Sequence, residues 1–180
     1  MAAWLLLGRA SREESGPLGN DYNGRNVVGV VQVKRGEYLT FGQIWVINNG
    51  EKPVTLRSAE LLGDTSGLDV GPVLTAAGDR QLYGVGLLRT FPPSAKSGHS
   101  ELGTLRPIDG TVVPPQRSGS PSLLPVEVLV GIKVIEPKEK YFTGTRIRYE
   151  VDGKEYSYVD PSGLTICPKD ECPELDKKAK

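Results

Sequence analysis

The stretch from Val126 to Ile135, with the sequence VEVLVGIKVI, has the strongest strand character in the chain. It is rich in β-branched residues, which favour strands. Successive side chains of a strand point to opposite faces, so one face of this stretch is entirely apolar. That face consists of Val126, Val128, Val130, Ile132 and Val134. Leu129 and Ile135 add apolar character to the second face, and the stretch therefore predicts a strand packed in a core.

Eight further stretches have strand character and are separated by turns. They are residues 26–33, 38–47, 54–62, 68–74, 80–88, 108–113, 144–151 and 154–159. The chain of 180 residues contains 22 glycines and 14 prolines, which suit many short strands better than long helices. No uninterrupted amphipathic helical pattern follows residue 25. The sequence thus predicts an all-β fold, namely an antiparallel β-sandwich of about nine short strands with one long Pro-rich loop.

The stretches 38–47 and 54–62 are predicted to form an antiparallel hairpin. The sequence NNGEKP lies between them and contains the residue types that turns require. The run from Ile44 to Ile47 is apolar on both faces, which indicates a central strand covered on two sides.

A second hairpin is predicted around Asp152–Gly153, which is a preferred two-residue turn of tight hairpins. The resulting register places Val151 opposite Lys154, Tyr149 opposite Tyr156, Ile147 opposite Tyr158 and Glu150 opposite Glu155. The three tyrosines suit either an exposed binding face or the border of a core, and we favour the core.

Residues 89–125 are predicted to form a long, mostly irregular loop with one short strand at 108–113. Seven of the fourteen prolines lie in this segment. Long loops on a rigid scaffold are commonly functional, so we expect loop 89–125 to contact a protein partner. An edge strand that pairs with an extended peptide is the second route to a partner.

The two ends of the chain are predicted to lie outside the sandwich domain, which we assign to residues 25–168. Residues 1–24 begin with MAAWLLLG, an apolar run too short to cross a bilayer and without the basic start of a secretion signal. This stub is a loosely packed N-terminal segment, the remnant of a truncated membrane helix, or a weak interfacial anchor. Residues 169–180 form a charged C-terminal tail.

The cysteines, Cys167 and Cys172, are separated by four residues. A structural zinc site needs about four ligands, whereas the chain has two Cys and one His. A small disulfide-closed loop fits this spacing, and two free thiols near a frayed end are the alternative. Disulfides persist outside the reducing cytosol, so a bond would place the domain in an extracytoplasmic compartment.

No stretch of the sequence predicts a catalytic, cofactor or metal site, and we expect the protein not to be an enzyme. The one histidine, His99, directly precedes Ser100 in GHSELG, so it is not the distant base that a Ser–His triad requires. Asp64, Ser66 and Asp69 in DTSGLD could bind calcium, although such residues also form ordinary turns.

The charge balance argues against nucleic acid as a partner. Lys+Arg and Asp+Glu each total 22, which gives a formal net charge of zero. Proteins that grip a phosphate backbone usually carry a basic surplus.

Two stretches resemble known proteins. IWVINNGEKPVTLRSAEL, residues 44–61, resembles a hairpin of Ig-like β-sandwich domains in bacterial cell-envelope proteins. GTRIRYEVDGKEYSYVDPSGLTIC, residues 144–167, resembles the closing hairpin of uncharacterised membrane-anchored or lipoprotein-type bacterial proteins. The resemblance implies that the β-sandwich is Ig-like, and that it is an extracytoplasmic, non-enzymatic domain behind a single N-terminal membrane helix. The alternative function is a small secreted hydrolase or a calcium-dependent carbohydrate-binding domain.

Overall fold

A computed structural model describes residues 16–19, 29–77, 85–94, 102–116 and 126–168. This part of the chain contains twelve strands and no helix. The strands are β1 (Leu18–Gly19), β2 (Gly29–Val33), β3 (Tyr38–Asn48), β4 (Val54–Gly63), β5 (Leu68–Ala77), β6 (Leu87–Leu88), β7 (Thr104–Pro107), β8 (Val112–Val113), β9 (Val126–Val134), β10 (Lys140–Val151), β11 (Lys154–Asp160) and β12 (Leu164–Pro168). The predicted all-β class is confirmed, whereas the predicted number of about nine strands is not.

The strands form two six-stranded sheets. Sheet I has the order β1-β3-β9-β5-β7, with β6 also paired to β3. Sheet II has the order β2-β12-β10-β4-β8, with β11 also paired to β10. The described strand pairs are antiparallel except for β2 and β12, which run parallel. Two mainly antiparallel sheets that share one core make a sandwich-like fold.

The core lies between the sheets and is centred on β9. The five alternating residues of β9 that the sequence predicts to share a face all belong to this core. Sheet II contributes Leu56, Phe142 and Ile147, each fully buried. The second face of β9 is covered too, because Leu129 is 0% exposed and the ring of Phe91 lies over Gly131.

The predicted hairpin of residues 38–47 and 54–62 is wrong, since β3 lies in sheet I and β4 lies in sheet II. The connection between them crosses from one sheet to the other. The buried side chain of Asn48 fixes this crossing: its Nδ2 donates to the carbonyl oxygens of Lys52 and Val113, at 2.8 and 3.0 Å. A contact with Val113, 65 residues away, is not visible in the turn sequence itself.

The hairpin around Asp152–Gly153 is confirmed together with its register. Strands β10 and β11 pair Tyr149 with Tyr156 and Ile147 with Tyr158. The rings of Tyr149 and Tyr156 are stacked with their centroids 5.7 Å apart. Tyr149 is fully buried in the core. Tyr156 and Tyr158 are partly buried and pack against that core.

The predicted loop 89–125 is part of the sandwich where the structure describes it. Strand β7 pairs with β5 in sheet I, and β8 pairs with β4 in sheet II. Leu102 and Ile108 are buried. The sequence missed β7 because TLRP has no alternating apolar pattern and contains a proline. Residues 95–101 and 117–125 of this loop lie outside the described residues, as do residues 80–84 of the predicted strand 80–88.

A short segment of the predicted N-terminal stub also belongs to the sandwich. Residues 16–19 include β1, which pairs with the end of β3, and Leu18 lies in the core. Where the chain is described, no helix has the length and apolar character needed to cross a membrane. The tail, residues 169–180, lies outside the described residues.

Candidate functional site

Three turns meet at one end of the sandwich, and we call them the turn cluster. They are residues 34–37 between β2 and β3, residues 64–67 between β4 and β5, and residues 135–139 between β9 and β10. Each of the three turns connects a strand of one sheet to a strand of the other. The cluster is therefore the end of the fold at which separate strands bring loop residues together.

Backbone hydrogen bonds connect the three turns to one another. The amide of Gly36 donates to the carbonyl oxygen of Val134 at 2.7 Å. The amides of Ile135 and Glu136 both donate to the carbonyl oxygen of Gly67, at 3.0 and 2.8 Å. Gly67 has a positive φ of 75°, and a Cβ there would lie 3.1 Å from the Glu136 carbonyl oxygen. Glycine is thus required both for the turn and for this close approach.

An ion pair fixes the turn at residues 64–67 to β10. The Nζ of Lys140, whose side chain is 7% exposed, pairs with the carboxylate of Asp64. The same Nζ donates to the hydroxyl oxygen of Ser66 at 2.7 Å. The hydrogen bond from Lys140, followed by those from the Ser66 amide and hydroxyl, holds the pKa of Asp64 well below its usual range. The acidic turn therefore stays ionised and paired.

This pairing differs from the calcium hypothesis for Asp64, Ser66 and Asp69. The ammonium group of Lys140 contacts the first two of these residues where the hypothesis places a metal ion. Asp69 lies apart on β5, opposite Lys133 in the sheet register. Within the described ranges, no group of three or more His, Cys, Asp or Glu side chains is placed to hold a metal ion.

A second ion pair fixes the turn at residues 34–37. Glu37 accepts a hydrogen bond from the Lys34 amide at 2.9 Å and pairs with Arg89, which also donates to the Gln32 carbonyl oxygen. Burial alone would raise the pKa of Glu37, but these two partners outweigh it and lower the pKa. Arg35 Nε donates to the Ile135 carbonyl oxygen at 2.9 Å, so this turn is braced on both sides.

Exposed apolar side chains border the turn cluster. Among the described residues, five large hydrophobic side chains are exposed, and three of them lie here: Tyr38 at 45%, Ile135 at 45% and Tyr141 at 55%. The Nζ of Lys133 lies over the Tyr38 ring, 5.3 Å from its centroid. Exposed aromatic and aliphatic groups among paired charges are typical of protein interaction surfaces.

The outer face of sheet II has a different character. Arg57 pairs with Glu150 and Asp109, and Glu60 pairs with Arg146 and Arg148. These side chains are mostly exposed, and such pairs contribute little to stability. The face is charged but locally balanced.

Sequence reasoning did not single out Glu127, which is 0% exposed on the second face of β9. Its Oε1 accepts hydrogen bonds from the amides of Gln43 and Val85, both at 2.8 Å. Gln43 has a positive φ of 64° and lies in an irregularity of the β3–β9 pairing. Glu127 thus holds the segment beginning at Val85 against sheet I. An acidic residue inside an otherwise apolar strand was the available signal.

The bulged Gln43 also connects the two sheets. Its carbonyl oxygen accepts a hydrogen bond from Ser162 Oγ at 3.2 Å, and the Ser162 amide donates to Asp160 Oδ1 at 2.9 Å. Asp160 and Ser162 are both buried. These contacts close the side of the sandwich where β11 ends and β12 begins.

The remaining predicted site residues are only partly described. Cys167 is fully buried, and its Sγ lies 3.7 Å from the Val31 carbonyl oxygen. Cys172 lies outside the described residues, so the Cys167–Cys172 bond stays a prediction. His99 and Ser100 lie outside the described residues as well.

The described part of the chain is an all-β, sandwich-like fold with three braced turns at one end. Comparison with protein-family models found no family that matches the chain. A search of curated proteins likewise found no match.

Proposed function

We propose that this chain is a non-enzymatic, extracytoplasmic β-sandwich module that binds or braces a protein partner through the turn cluster. The observation that carries the proposal is the exposure of Tyr38, Ile135 and Tyr141 around turns that the fold already holds in place. Aromatic side chains are enriched at the centres of protein interfaces.

The bracing of the cluster favours binding because little conformational freedom is left to lose. The Lys140–Asp64 and Arg89–Glu37 pairs connect the turns to strand β10 and to the segment that covers sheet I. Ordering loops and side chains at an interface costs free energy on association. A surface that is ordered beforehand avoids part of that cost.

The proposed location is the bacterial cell envelope, with the domain anchored to the membrane through its N-terminal segment. The apolar stub, the two late cysteines and the resemblance to Ig-like envelope domains support this location. Strand β1 pairs with Ile47 and Asn48 at one end of β3, whereas the turn cluster adjoins Tyr38 at the other. At about 3.3 Å per residue, the eleven residues of β3 separate the two by roughly 30 Å. An N-terminal anchor would therefore leave the turn cluster pointing away from the membrane.

Loop 89–125, which the sequence favours as the contact surface, and an edge strand are the alternative routes to a partner. The described part of the loop forms β7 and β8, which leaves it less free to contact a partner than the turn cluster. The seven-residue strand β11 borders sheet II and would offer its outer edge.

Site-specific photo-crosslinking in cells tests the proposal. A photoreactive amino acid is placed at Tyr38, Ile135 or Tyr141, and at Val112 as a matched control. Val112 is 56% exposed but lies in β8, opposite Thr55 and away from the turn cluster. We expect discrete adducts from the three cluster positions and none from Val112. Equal adduct formation at all four positions would reject the cluster as the contact surface.

A calcium titration separates this proposal from a calcium-dependent carbohydrate-binding domain. Binding to the folded state raises Tm by mass action. Because Lys140 already contacts Asp64 and Ser66, we expect no change in Tm with calcium. A clear rise in Tm would favour the alternative. Loss of ester hydrolysis after substitution of His99 and Ser100 would instead favour a secreted hydrolase.

A further inference from the structure

A narrow groove runs along the edge of the sandwich opposite the turn cluster, and residues 16–19 occupy it. One wall is the end of β3 and the residues after it, from Ile47 to Gly50. The other wall is the stacked pair Tyr149 and Tyr156 of sheet II. We call this the β1 groove.

The occupant is held by its backbone and by one buried side chain. Leu18 is 6% exposed and packs in the core, and its amide donates to the Tyr149 hydroxyl at 3.5 Å. The Asn49 amide donates to the Pro17 carbonyl oxygen at 3.0 Å. Main-chain pairing combined with a pocket for one side chain is a recurring mode of peptide recognition.

The groove wall is organised by contacts that do not involve the occupant. Asn48 is 1% exposed, and its Nδ2 donates to the carbonyl oxygens of Lys52 and Val113. Its Oδ1 accepts a hydrogen bond from the Gly50 amide at 3.0 Å. The wall is therefore expected to persist when the segment leaves.

The groove is selective for small residues on both sides. A Cβ on Gly16 would lie 2.3 Å from the Tyr149 hydroxyl oxygen and 2.8 Å from the Tyr156 ring. A Cβ on Gly19 would lie 2.9 Å from the Asn49 side chain, and one on Gly50 would lie 2.7 Å from Pro17. An occupant therefore needs a glycine at the position of Gly16 and a leucine-sized side chain at the position of Leu18, and a glycine at position 19 avoids a close contact with Asn49.

We propose that the β1 groove is a peptide-docking site that also accepts the Gly16-Pro17-Leu18-Gly19 segment of a second copy of this chain. A second copy carries this stringent sequence and can repeat every contact that the segment makes within one chain. Exchange of identical elements between copies is a low-cost route to association. Nine residues, 20–28, separate the segment from β2, so its exchange does not require strands β2 to β12 to move.

Two complementary full-length variants test the proposal. Leu18→Asp removes the core anchor of the segment but leaves the groove intact. The groove of this chain can therefore bind a segment from another chain, whereas its own segment cannot dock. Gly50→Ala blocks the part of the groove that Pro17 occupies but leaves the segment intact. The segment of this chain can therefore dock into another chain, whereas its own groove cannot bind a segment. Gly50 does not have a positive φ, and alanine is therefore compatible with its backbone.

The measurement is the shift of backbone amide signals of ¹⁵N-labelled Leu18→Asp chain as unlabelled Gly50→Ala chain is added. We expect saturable shifts at Asn48, Asn49 and Tyr149 at millimolar concentration. In the chain that carries both substitutions, the segment cannot dock and the groove cannot bind. When this chain is the added partner, the shifts should be at least tenfold smaller than those produced by the Gly50→Ala chain.

Two results would overturn the proposal: no saturable shift with the Gly50→Ala chain, or equal shifts with the doubly substituted chain. If Leu18→Asp loses the dispersed spectrum of a folded protein, Gly16→Val replaces it as the acceptor. Valine at position 16 collides with Tyr149 and Tyr156 within one chain, so it displaces the segment without placing a charge at position 18. Neither outcome depends on whether the turn cluster binds a partner.

Discussion

Lys140 and Asp64 form an ion pair in which the lysine side chain is 7% exposed and the aspartate side chain is 66% exposed. The buried member thus depends on a partner that lies at the surface. Through this pair, strand β10 holds the turn at residues 64–67. That turn contains the Gly67 carbonyl oxygen, which accepts hydrogen bonds from backbone amides of the turn at residues 135–139.

Replacing Asp64 with Asn should lower Tm at neutral pH by a few degrees, because the ammonium group of Lys140 stays buried without its counter-charge. The pKa of Asp64 is lower in the folded chain than in the unfolded chain. The pair therefore stabilises the fold above the unfolded-state pKa of about 3.9, and this stabilisation is lost as the pH falls through the lower folded-state pKa.

Thermal melting between neutral and acidic pH checks this prediction. The Tm difference between wild type and Asp64→Asn should be constant above about pH 5 and shrink below about pH 4. Asp69→Asn, which changes an exposed carboxylate on β5, is the control and should follow the wild-type profile. A difference that does not shrink in acid would argue against the pair as its source.

Gly144 packs against the backbone of Asp160 so closely that a Cβ would lie 2.4 Å from its carbonyl oxygen. Gly144→Ala should reduce the free energy of unfolding by about 1–3 kcal/mol, because backbone atoms cannot move aside cheaply. At Gly29 the nearest atom to an added Cβ is 3.8 Å away, so Gly29→Ala should change the free energy of unfolding by less than about 0.5 kcal/mol. Urea unfolding of both variants provides the comparison, and equal effects would contradict the close approach.

The parts of this fold that the sequence predicted correctly are local. The apolar face of β9 follows from the alternation of valine and isoleucine, and the β10–β11 register follows from the Asp152–Gly153 turn. Both depend on residues close together in the chain. Patterns of this kind are visible without knowledge of the rest of the structure.

The parts that the sequence did not predict depend on distant residues. The turn after β3 suits a hairpin, but Asn48 contacts Val113 and the chain crosses to the other sheet. The turn cluster carries no sequence motif either, because its three turns are brought together by strand pairing. The sequence therefore favours loop 89–125 as the contact surface, whereas the surface proposed from the structure consists of three turns with ordinary turn residues.

Tyr158 should be among the last of the seven tyrosines to ionise as the pH rises. Burial, together with the charge of Asp160, raises the pKa of Tyr158 to about 12. An unfolded tyrosine ionises near pH 10, so between about pH 10 and 12 the unfolded state loses this proton first and the stability of the fold declines. A spectrophotometric titration should lose its most alkaline step in Tyr158→Phe. An unchanged titration would show that Tyr158 is not shielded.

The predicted bond between Cys167 and Cys172 closes a loop of four intervening residues and would contribute about 2 kcal/mol in the chain-entropy model. Because Cys167 is 0% exposed, alkylation must be carried out after denaturation. We expect mass spectrometry to show no alkylated cysteine before reduction and two after it. Two alkylated cysteines without reduction would remove the support that the bond gives to an extracytoplasmic location.

The contact role of the turn cluster is tested most directly by the affinity of a partner, captured through this cluster, for two matched variants. Ile135→Asp places a charge on the 45% exposed apolar side chain of the cluster, whereas Val112→Asp does so at a 56% exposed position elsewhere. If the turn cluster is the contact surface, Ile135→Asp should lose at least tenfold in affinity, about 1.4 kcal/mol, and Val112→Asp should show no change. Equal affinities for wild type and Ile135→Asp, with both proteins folded, would contradict this role.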